Sequence, residues 1–384
     1  MIVVGATGSS SFRLHEAFVC TLITADNVSR TPARSADAAD ISFCHSAVQG
    51  VSRTFAITVD VLDDPMSTYI CVGYLVCRIA DTVEDAGHIP PAEKMRLLRR
   101  YDAVLDPADT TAAPAFVDAV RPYVPPDPSD EWALVAAAPR VLRVFDSFPT
   151  EVQGAIIPPA RELVQGMAEF IDRYAAIGGL RVQSKEELER YCYYAAGTVG
   201  KLITNLLTRG GVSPARRQLL YDTAVEFGLL LQLVNISKDV HADFTNEDNV
   251  YLPAEWLQEV GVQQEAVIHA DNESAVASVV RRTAQFAGTH LGDAERYLRA
   301  LPLVDGNTLA AWAIPFLLAV GTLRELMTRP EDALRTEGVK VSHEEVYAVI
   351  AAMEEEVDAA GLERMREQIS ERPFHTRPGP PAGG

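Results

Sequence analysis

Two stretches of this sequence carry oxygen ligands at helical spacing. The first is "CRIADTVED", residues 77–85, which ends in Asp81, Glu84 and Asp85 after a run as apolar as a core helix. The second is "QLVNISKDVHAD", residues 232–243, with Asn235, Asp239 and Asp243 at i, i+4 and i+8, and Gln232 one turn earlier. On a helix turning about 100° per residue, Asp85 lies about 40° from Asp81, Tyr74 about 20° and Arg78 about 60°. Two carboxylates, a phenol and a guanidinium therefore share one stripe. Asn235, Asp239 and Asp243 likewise span an arc of about 80°. A solvated helix end accounts for a lone Asp-x3-Asp. It does not account for a polar stripe running two turns back among Ile70, Val72, Leu75, Val76 and Ile79. Oxygen-only ligands suit Mg²⁺, which keeps several waters and bridges carboxylates to a substrate diphosphate. Carboxylates facing each other across a cavity repel. A bound metal removes that repulsion and assists departure of a diphosphate.

Other polar residues sit in apolar settings. "VSRTFAI" places Ser52, Arg53 and Thr54 in what reads as one core helix. "YCYYAAGTVGKL" holds Tyr191, Tyr193 and Tyr194, then small residues that let helices approach closely. Tyrosine clusters are more often core than catalytic, so these three do not establish a site alone. The eight histidines form no HxxxH or HExxH arrangement, so zinc is not indicated. Gly-x-Ser-x-Gly is absent, which leaves a serine hydrolase without support.

The elements that must position these groups are helices. Apolar residues recur at three- and four-residue spacing through about 40–63, 66–86, 90–105, 131–145, 149–178, 184–209 and 213–244. The same spacing continues through about 271–300, 307–328 and 342–370, and hairpin signals are almost missing. The predicted fold class is all-α. Pro158-Pro159 should kink or divide its helix, and the Pro-rich stretch 105–130 reads as a long surface loop. The predicted organisation is a poorly ordered extension over 1–38, a single all-α domain over 39–371 and a disordered tail over 372–384. The opening "MIVVGATGSS" has only Gly5 and Gly8, which does not meet a dinucleotide-binding GxGxxG.

With 384 residues, 48% hydrophobic, the chain has ample material for a core. Its formal charge of −19 argues against nucleic-acid or other polyanion binding, so phosphate must be handled locally. Five cysteines with no CxxC point to a reducing, cytoplasmic compartment. The longest uncharged run, 306–323, is interrupted by Asn307 and Pro315, so no transmembrane span is expected.

In order and approximate spacing, "VSRTFA", "YLVCRIADTVED", "GMAEFID", "YCYYAAGTVG" and "LLLQLVNISKDVHAD" followed by "YLP" resemble the squalene and phytoene synthase family of head-to-head prenyltransferases. The likeness is nearer to squalene synthase, covers about residues 40–255 and fades towards 345. It implies an isoprenoid-synthase-type helical bundle around a central cavity. It also implies Mg²⁺-assisted ionisation of farnesyl diphosphate and joining of two such molecules through presqualene diphosphate. By the resemblance, Asp81, Glu84, Asp85, Asn235, Asp239 and Asp243 hold metal. Ser52, Arg53, Thr54, Gln232 and Lys238 contact substrate, together with Tyr74 and Arg78, and Tyr191 serves as the general base.

The sequence departs from the family pattern at three places. Ala242 stands where Glu is usual, and Lys238 stands for an Arg, losing the bidentate fork. "VKVSHE", residues 339–344, keeps Lys340 but has Ser342 and His343 where the pattern associated with NADPH has basic residues. A related transferase or cyclase that uses another acceptor or prenyl diphosphate without reduction is the alternative reading. A non-catalytic scaffold offers no reason for aligned carboxylates on two buried helices. Implied partners are prenyl diphosphates, with peripheral membrane contact for an apolar product.

Overall fold

The computed structural model describes residues 37–106, 109, 111–301, 308–354 and 358–375. Among these, every regular element is helical, and the extended contact is a single bridge between Arg181 and Val250. The all-α expectation therefore holds, but several predicted helices are divided. The stretch predicted as 40–63 forms α1 (Ala38–Val51) and α2 (Arg53–Asp60). Ser52 between them is extended, at φ −161° and ψ 95°. Its hydroxyl accepts from the Phe55 N–H at 3.3 Å and so starts a new helix. Asp37 caps α1 by accepting from the Ala39 N–H, placing the start of described order inside the expected 1–38 extension. Residues 1–36 lie outside the described residues.

Next come α3 (Met66–Asp85) and α4 (Pro91–Val104), close to their predicted bounds. They are joined where the Tyr101 hydroxyl donates to the Val76 carbonyl at 2.8 Å. The expected surface loop instead contains α5 (Ala112–Val120). Pro114 sits in its first turn, where a missing N–H breaks no bond. Phe116 and Val120, one turn apart, are buried, and Phe116 packs on Tyr101. The predicted 131–145 helix divides at Ala137 into α6 (Asp130–Ala136) and α7 (Ala138–Asp146), with Pro139 in the first turn of the second.

Helix α8 (Thr150–Tyr174) is not divided at its two prolines. Pro159 cannot donate to the Ala155 carbonyl. That carbonyl accepts from the Asn205 side chain at 3.0 Å instead. The chain continues through α9 (Lys185–Cys192), a π-helical turn over Tyr193–Gly197 and α10 (Thr198–Leu207). Helices α11 (Pro214–Lys238), α12 (Val240–Glu247) and the unpredicted α13 (Ala254–Glu259) follow. The C-terminal part comprises α14 (Glu273–Gly288), α15 (Leu291–Ala300), α16 (Thr308–Thr328), α17 (His343–Glu354) and α18 (Ala359–Glu371).

Pro315 in α16 repeats the device of α8. The Ala311 carbonyl it leaves without an N–H accepts from the fully buried Thr58 hydroxyl of α2 at 2.8 Å. Thr58→Val keeps the volume and removes the donor. The variant should lose about 1–3 kcal/mol of stability in urea unfolding. Parent-like stability would show that this carbonyl needs no partner.

Close helix approach is built from glycine. A Cβ on Gly200 would lie 2.3 Å from the Ala224 carbonyl, and one on Gly228 would lie 2.4 Å from that of Ala196. These contacts press α10 and the π-helical turn onto α11. Although the sequence offered no span, α11 and α16 are long and apolar enough to cross a membrane. Their most apolar windows are 61% and 78% buried by the rest of the fold, which accounts for their composition. At the C-terminus, Phe374 is buried and its N–H donates to Glu345 at 2.9 Å. Part of the expected disordered tail is thus docked, and residues 376–384 lie outside the described ones.

Candidate active site

Helices α2, α3, α10, α11 and α16 wall a cavity of about 290 Å³, which α9, α12 and α15 complete. Helix α3 supplies Tyr74, Arg78, Asp81 and Asp85 to this wall, so the four share one stripe. Glu84 differs. It is 2% exposed and lies behind the wall, accepting from the Tyr191 hydroxyl at 3.4 Å. It stays within ligand reach, since one carboxylate oxygen each from Asp81, Glu84 and Asp85 lie within 4.8 Å of one another. These acids stand at the negative end of the α3 dipole, which disfavours further negative charge. Burial, then Asp81, pushes the Asp85 carboxyl up to about 7. Burial, then Asp85 and Asp81, lifts Glu84 well above the usual carboxylate range. Lys94 of α4 donates to the Glu84 carbonyl at 2.6 Å, capping the helix end with a cation that sequence reasoning missed. Arg78 pairs with Asp81, and Asp81 and Asp85 outweigh burial to hold its guanidinium charged.

The opposite wall is α11 and α12. The sequence predicts one helix through 213–244, but α11 ends at Lys238 and Asp239 takes φ −111° and ψ 18°. Register survives the break. The Asp239 N–H bonds the Asn235 carbonyl at 3.1 Å, and the Asp243 N–H bonds that of Asp239 at 3.0 Å. Gln232, Asn235, Asp239 and Asp243 therefore all line the cavity. Burial, then Asp239 and Asp85, raises Asp243 far above its usual value, so the two walls lie within electrostatic reach. Glu247, at i+12 from Asn235, extends the series and is pushed up to about 11 by burial, then Asp85 and Asp243. Its spacing could have revealed it.

Between the walls, only one of the three clustered tyrosines lines the cavity. Tyr191 lines the cavity at 3% exposure. Tyr193 turns to Glu162 and Lys201, and Tyr194 packs over Gly166, where no Cβ could fit. Tyr251, which the sequence motif contained without a role, lines the cavity and meets the Tyr191 hydroxyl at 3.0 Å. Phe55 stacks on Tyr74 at 4.0 Å between ring centroids and approaches Trp312 at 6.0 Å, adding an aromatic wall. Burial raises Tyr74, Tyr191 and Tyr251 above the usual phenol value, so all three stay protonated.

A family profile for squalene/phytoene synthases matches residues 48–345. The chain belongs to the squalene/phytoene synthase family. It is 27% identical over 294 residues to the Botryococcus squalene synthase of Botryococcus braunii, covering 76% of this chain and 59% of that protein. It is also 27% identical over 259 residues to a bifunctional lycopene cyclase/phytoene synthase of Colletotrichum graminicola, covering 65% of this chain and 41% of that one. The matched stretch thus spans about three fifths of the length of the first relative. Among solved structures, the complex of TcSQS with the ligand E5700 superposes with a TM-score of 0.71 at 26% identity, covering 86% and 90% of the two chains.

Within the family framework, the remaining expected residues separate clearly. Ser52 and Thr54 line the cavity, whereas Arg53 is exposed in the first turn of α2 and outside the wall. Lys238 is buried against Asp239 and is also outside the wall. Lys340 is exposed and lines a separate, open depression with Arg329, Ser342 and His343. The segment carrying it runs behind the α11 end, where the Val339 N–H donates to the Lys238 carbonyl at 3.2 Å.

The residues present fit a divalent cation. Asn235 is 6% exposed on the cavity wall, and neither polar atom of its side chain has a partner among the described residues. Unpaired buried amides are rare without a ligand. Around it, burial and the neighbouring carboxylates raise the pKa values of Glu84, Asp85, Asp243 and Glu247. Raised groups stabilise the fold at low pH, and that contribution is lost as pH rises through the folded-state value, about 7 for Asp85. Asp85→Asn should therefore raise the Tm of chelator-treated protein by about 2–4 °C at pH 8 and by less at pH 5. Scanning fluorimetry checks this, and a lower Tm at pH 8 would refute the repulsion.

Proposed function

We propose that this chain is a squalene synthase-type prenyltransferase, which ionises farnesyl diphosphate and joins two molecules head to head into presqualene diphosphate. The reading is carried by the facing acids of α3 and α11–α12 across one cavity whose remaining wall is largely apolar and aromatic. Asp81, Glu84, Asp85, Asn235, Asp239 and Asp243 would hold Mg²⁺. Bound there, Mg²⁺ neutralises the charge that builds on a departing diphosphate. Arg78 adds a fixed positive charge beside Asp81, and Ser52, Thr54 and Gln232 offer hydrogen bonds at the wall. Phe227, Leu231 and Ile203 exclude water from the allylic cation. The second substrate's double bond attacks that cation. The Tyr191 oxygen then takes a proton from the adduct as its own hydroxyl hydrogen passes to the Glu84 carboxylate, and the C–H electron pair closes the cyclopropane. The catalytic unit is the single all-α domain of residues 39–371 together with the Asp37 cap and the docked Phe374, acting in the cytoplasm with peripheral membrane contact for its long prenyl chains.

Reduction to squalene by NADPH is the finer question. The altered 339–344 segment favours the second reading, a transferase or cyclase without reduction, including phytoene-type condensation. Ser342 and His343 remove charge where an anionic cofactor would need it, and Lys340 is exposed. The test is radiolabelled farnesyl diphosphate with Mg²⁺, with and without NADPH, and product identification by mass spectrometry. Presqualene diphosphate or another non-reduced product should accumulate in both arms. Squalene made efficiently at micromolar NADPH would show that the missing charges do not matter. Turnover of geranylgeranyl diphosphate alone would move the assignment to phytoene-type condensation.

A further inference from the structure

A phenol hydroxyl is a free rotor unless its neighbours fix it, and the neighbours of Tyr191 do so in one direction. The chain of hydrogen bonds begins at a backbone group. The Leu180 N–H can only donate, and it donates to Asn249 Oδ1 at 2.8 Å. Asn249 Nδ2 therefore faces the other way, towards Glu247 Oε2 at 3.2 Å and the Tyr251 hydroxyl at 3.0 Å. Flipping the amide would set donor against donor at Leu180. An amide nitrogen only donates, so the Tyr251 oxygen accepts and its own hydrogen turns to Tyr191. The Tyr191 oxygen accepts in turn, which leaves its hydrogen for Glu84. Exposure is 5% at Asn249, 6% at Tyr251, 3% at Tyr191 and 2% at Glu84, so the chain is shielded from bulk water. Asn249 is itself held by the bridge, where the Val250 N–H bonds the Leu180 carbonyl at 2.9 Å and the Val182 N–H bonds that of Val250 at 3.1 Å.

We propose that Asn249, acting through Tyr251, is a positioning residue that fixes the rotation of the Tyr191 hydroxyl and leaves its remaining lone pair for the cavity. This rests on the reading of Tyr191 as the proton acceptor. Neither Asn249 nor Tyr251 touches the reacting atoms in this role. Their effect is on how often the Tyr191 oxygen is correctly turned when the cation forms.

Two variants test it, with folding checked by circular dichroism. Tyr251→Phe keeps the ring that packs 4.7 Å from that of Tyr191 and deletes the hydroxyl. Asn249→Asp keeps the Leu180 contact but offers Tyr251 only acceptors, so the Tyr251 hydrogen turns away from Tyr191. Each should lower kcat by about 10-fold, with KM for farnesyl diphosphate and Mg²⁺ half-saturation within about twofold. Because both act on one rotor, the double variant should be no slower than the slower single one, and neither change should slow Tyr191→Phe further. Parent-like kcat in Tyr251→Phe beside a slow Tyr191→Phe would overturn the positioning role alone. A KM or Mg²⁺ effect in place of the kcat loss would also overturn it. A Tyr191→Phe variant as fast as the parent would remove the base reading itself and this role with it.

Discussion

Asp81→Asn and Asp239→Asn are each expected to lower turnover of farnesyl diphosphate by on the order of 10³-fold, with far-UV circular dichroism unchanged. The two residues come from opposite walls, at the C-terminal ends of α3 and α11, and both line the cavity. Asparagine keeps the shape and one oxygen but removes the charge that pairs with a divalent cation. Asp81→Asn also releases Arg78 from its ion pair, so part of the loss should appear as weaker diphosphate binding. The folded structure should tolerate both changes because asparagine keeps the shape and an accepting oxygen beside Arg78 and Lys238, the cations that Asp81 and Asp239 pair with. Combining the two should add little to either, since one site is lost in both cases. Near-parent activity of either variant at limiting Mg²⁺ would sink the two-wall metal site.

Tyr191→Phe is expected to lower kcat by on the order of 10²-fold or more, the scale for loss of an acid–base group. The substitution keeps the ring, which is held edge-on by Phe170 at 5.3 Å, so packing survives. A purely structural tyrosine would lose only its hydrogen bonds to Glu84 and Tyr251, which lowers stability and leaves the rate alone. The two outcomes are separated by measuring Tm and kcat on one preparation. An unchanged rate with a lowered Tm returns Tyr191 to the core.

Short-range geometry was legible in the sequence. Asp81 and Asp85, like Asn235, Asp239 and Asp243, share a face because i, i+4 spacing alone puts them there. The same spacing, continued to Glu247, would have found the acid that the sequence reading omitted. The Ala-Ala-Gly and Gly-Lys region after Tyr194 announced close helix contact, and Gly200 against the Ala224 carbonyl bears that out. Helix ends were less legible. Asp239 interrupts a run whose hydrophobic period continues unbroken, because a break that preserves register leaves no mark on that period, and Ser52 ends a helix inside a stretch that the same period read as one.

Tertiary structure decided the rest, wherever the outcome depends on a partner distant in sequence. Pro159 read as a breaker, yet its helix continues because Asn205, from another helix, bonds the carbonyl left without a donor, and Thr58 does the same for Pro315 inside the helix expected at 307–328. Tyr191, Tyr193 and Tyr194 are equivalent in composition, and only the π-helical turn and its neighbours turn one of them to the cavity. Glu84 was read as a ligand and stays within reach of Asp81 and Asp85 while it bonds Tyr191, whereas packing turned Lys238, read as a substrate contact, onto Asp239. Lys340, joined to the site by resemblance, faces a different depression. Helical periodicity determines which side chains share a face. What that face meets is set by helices that approach from elsewhere in the chain, and only the packed fold contains that information.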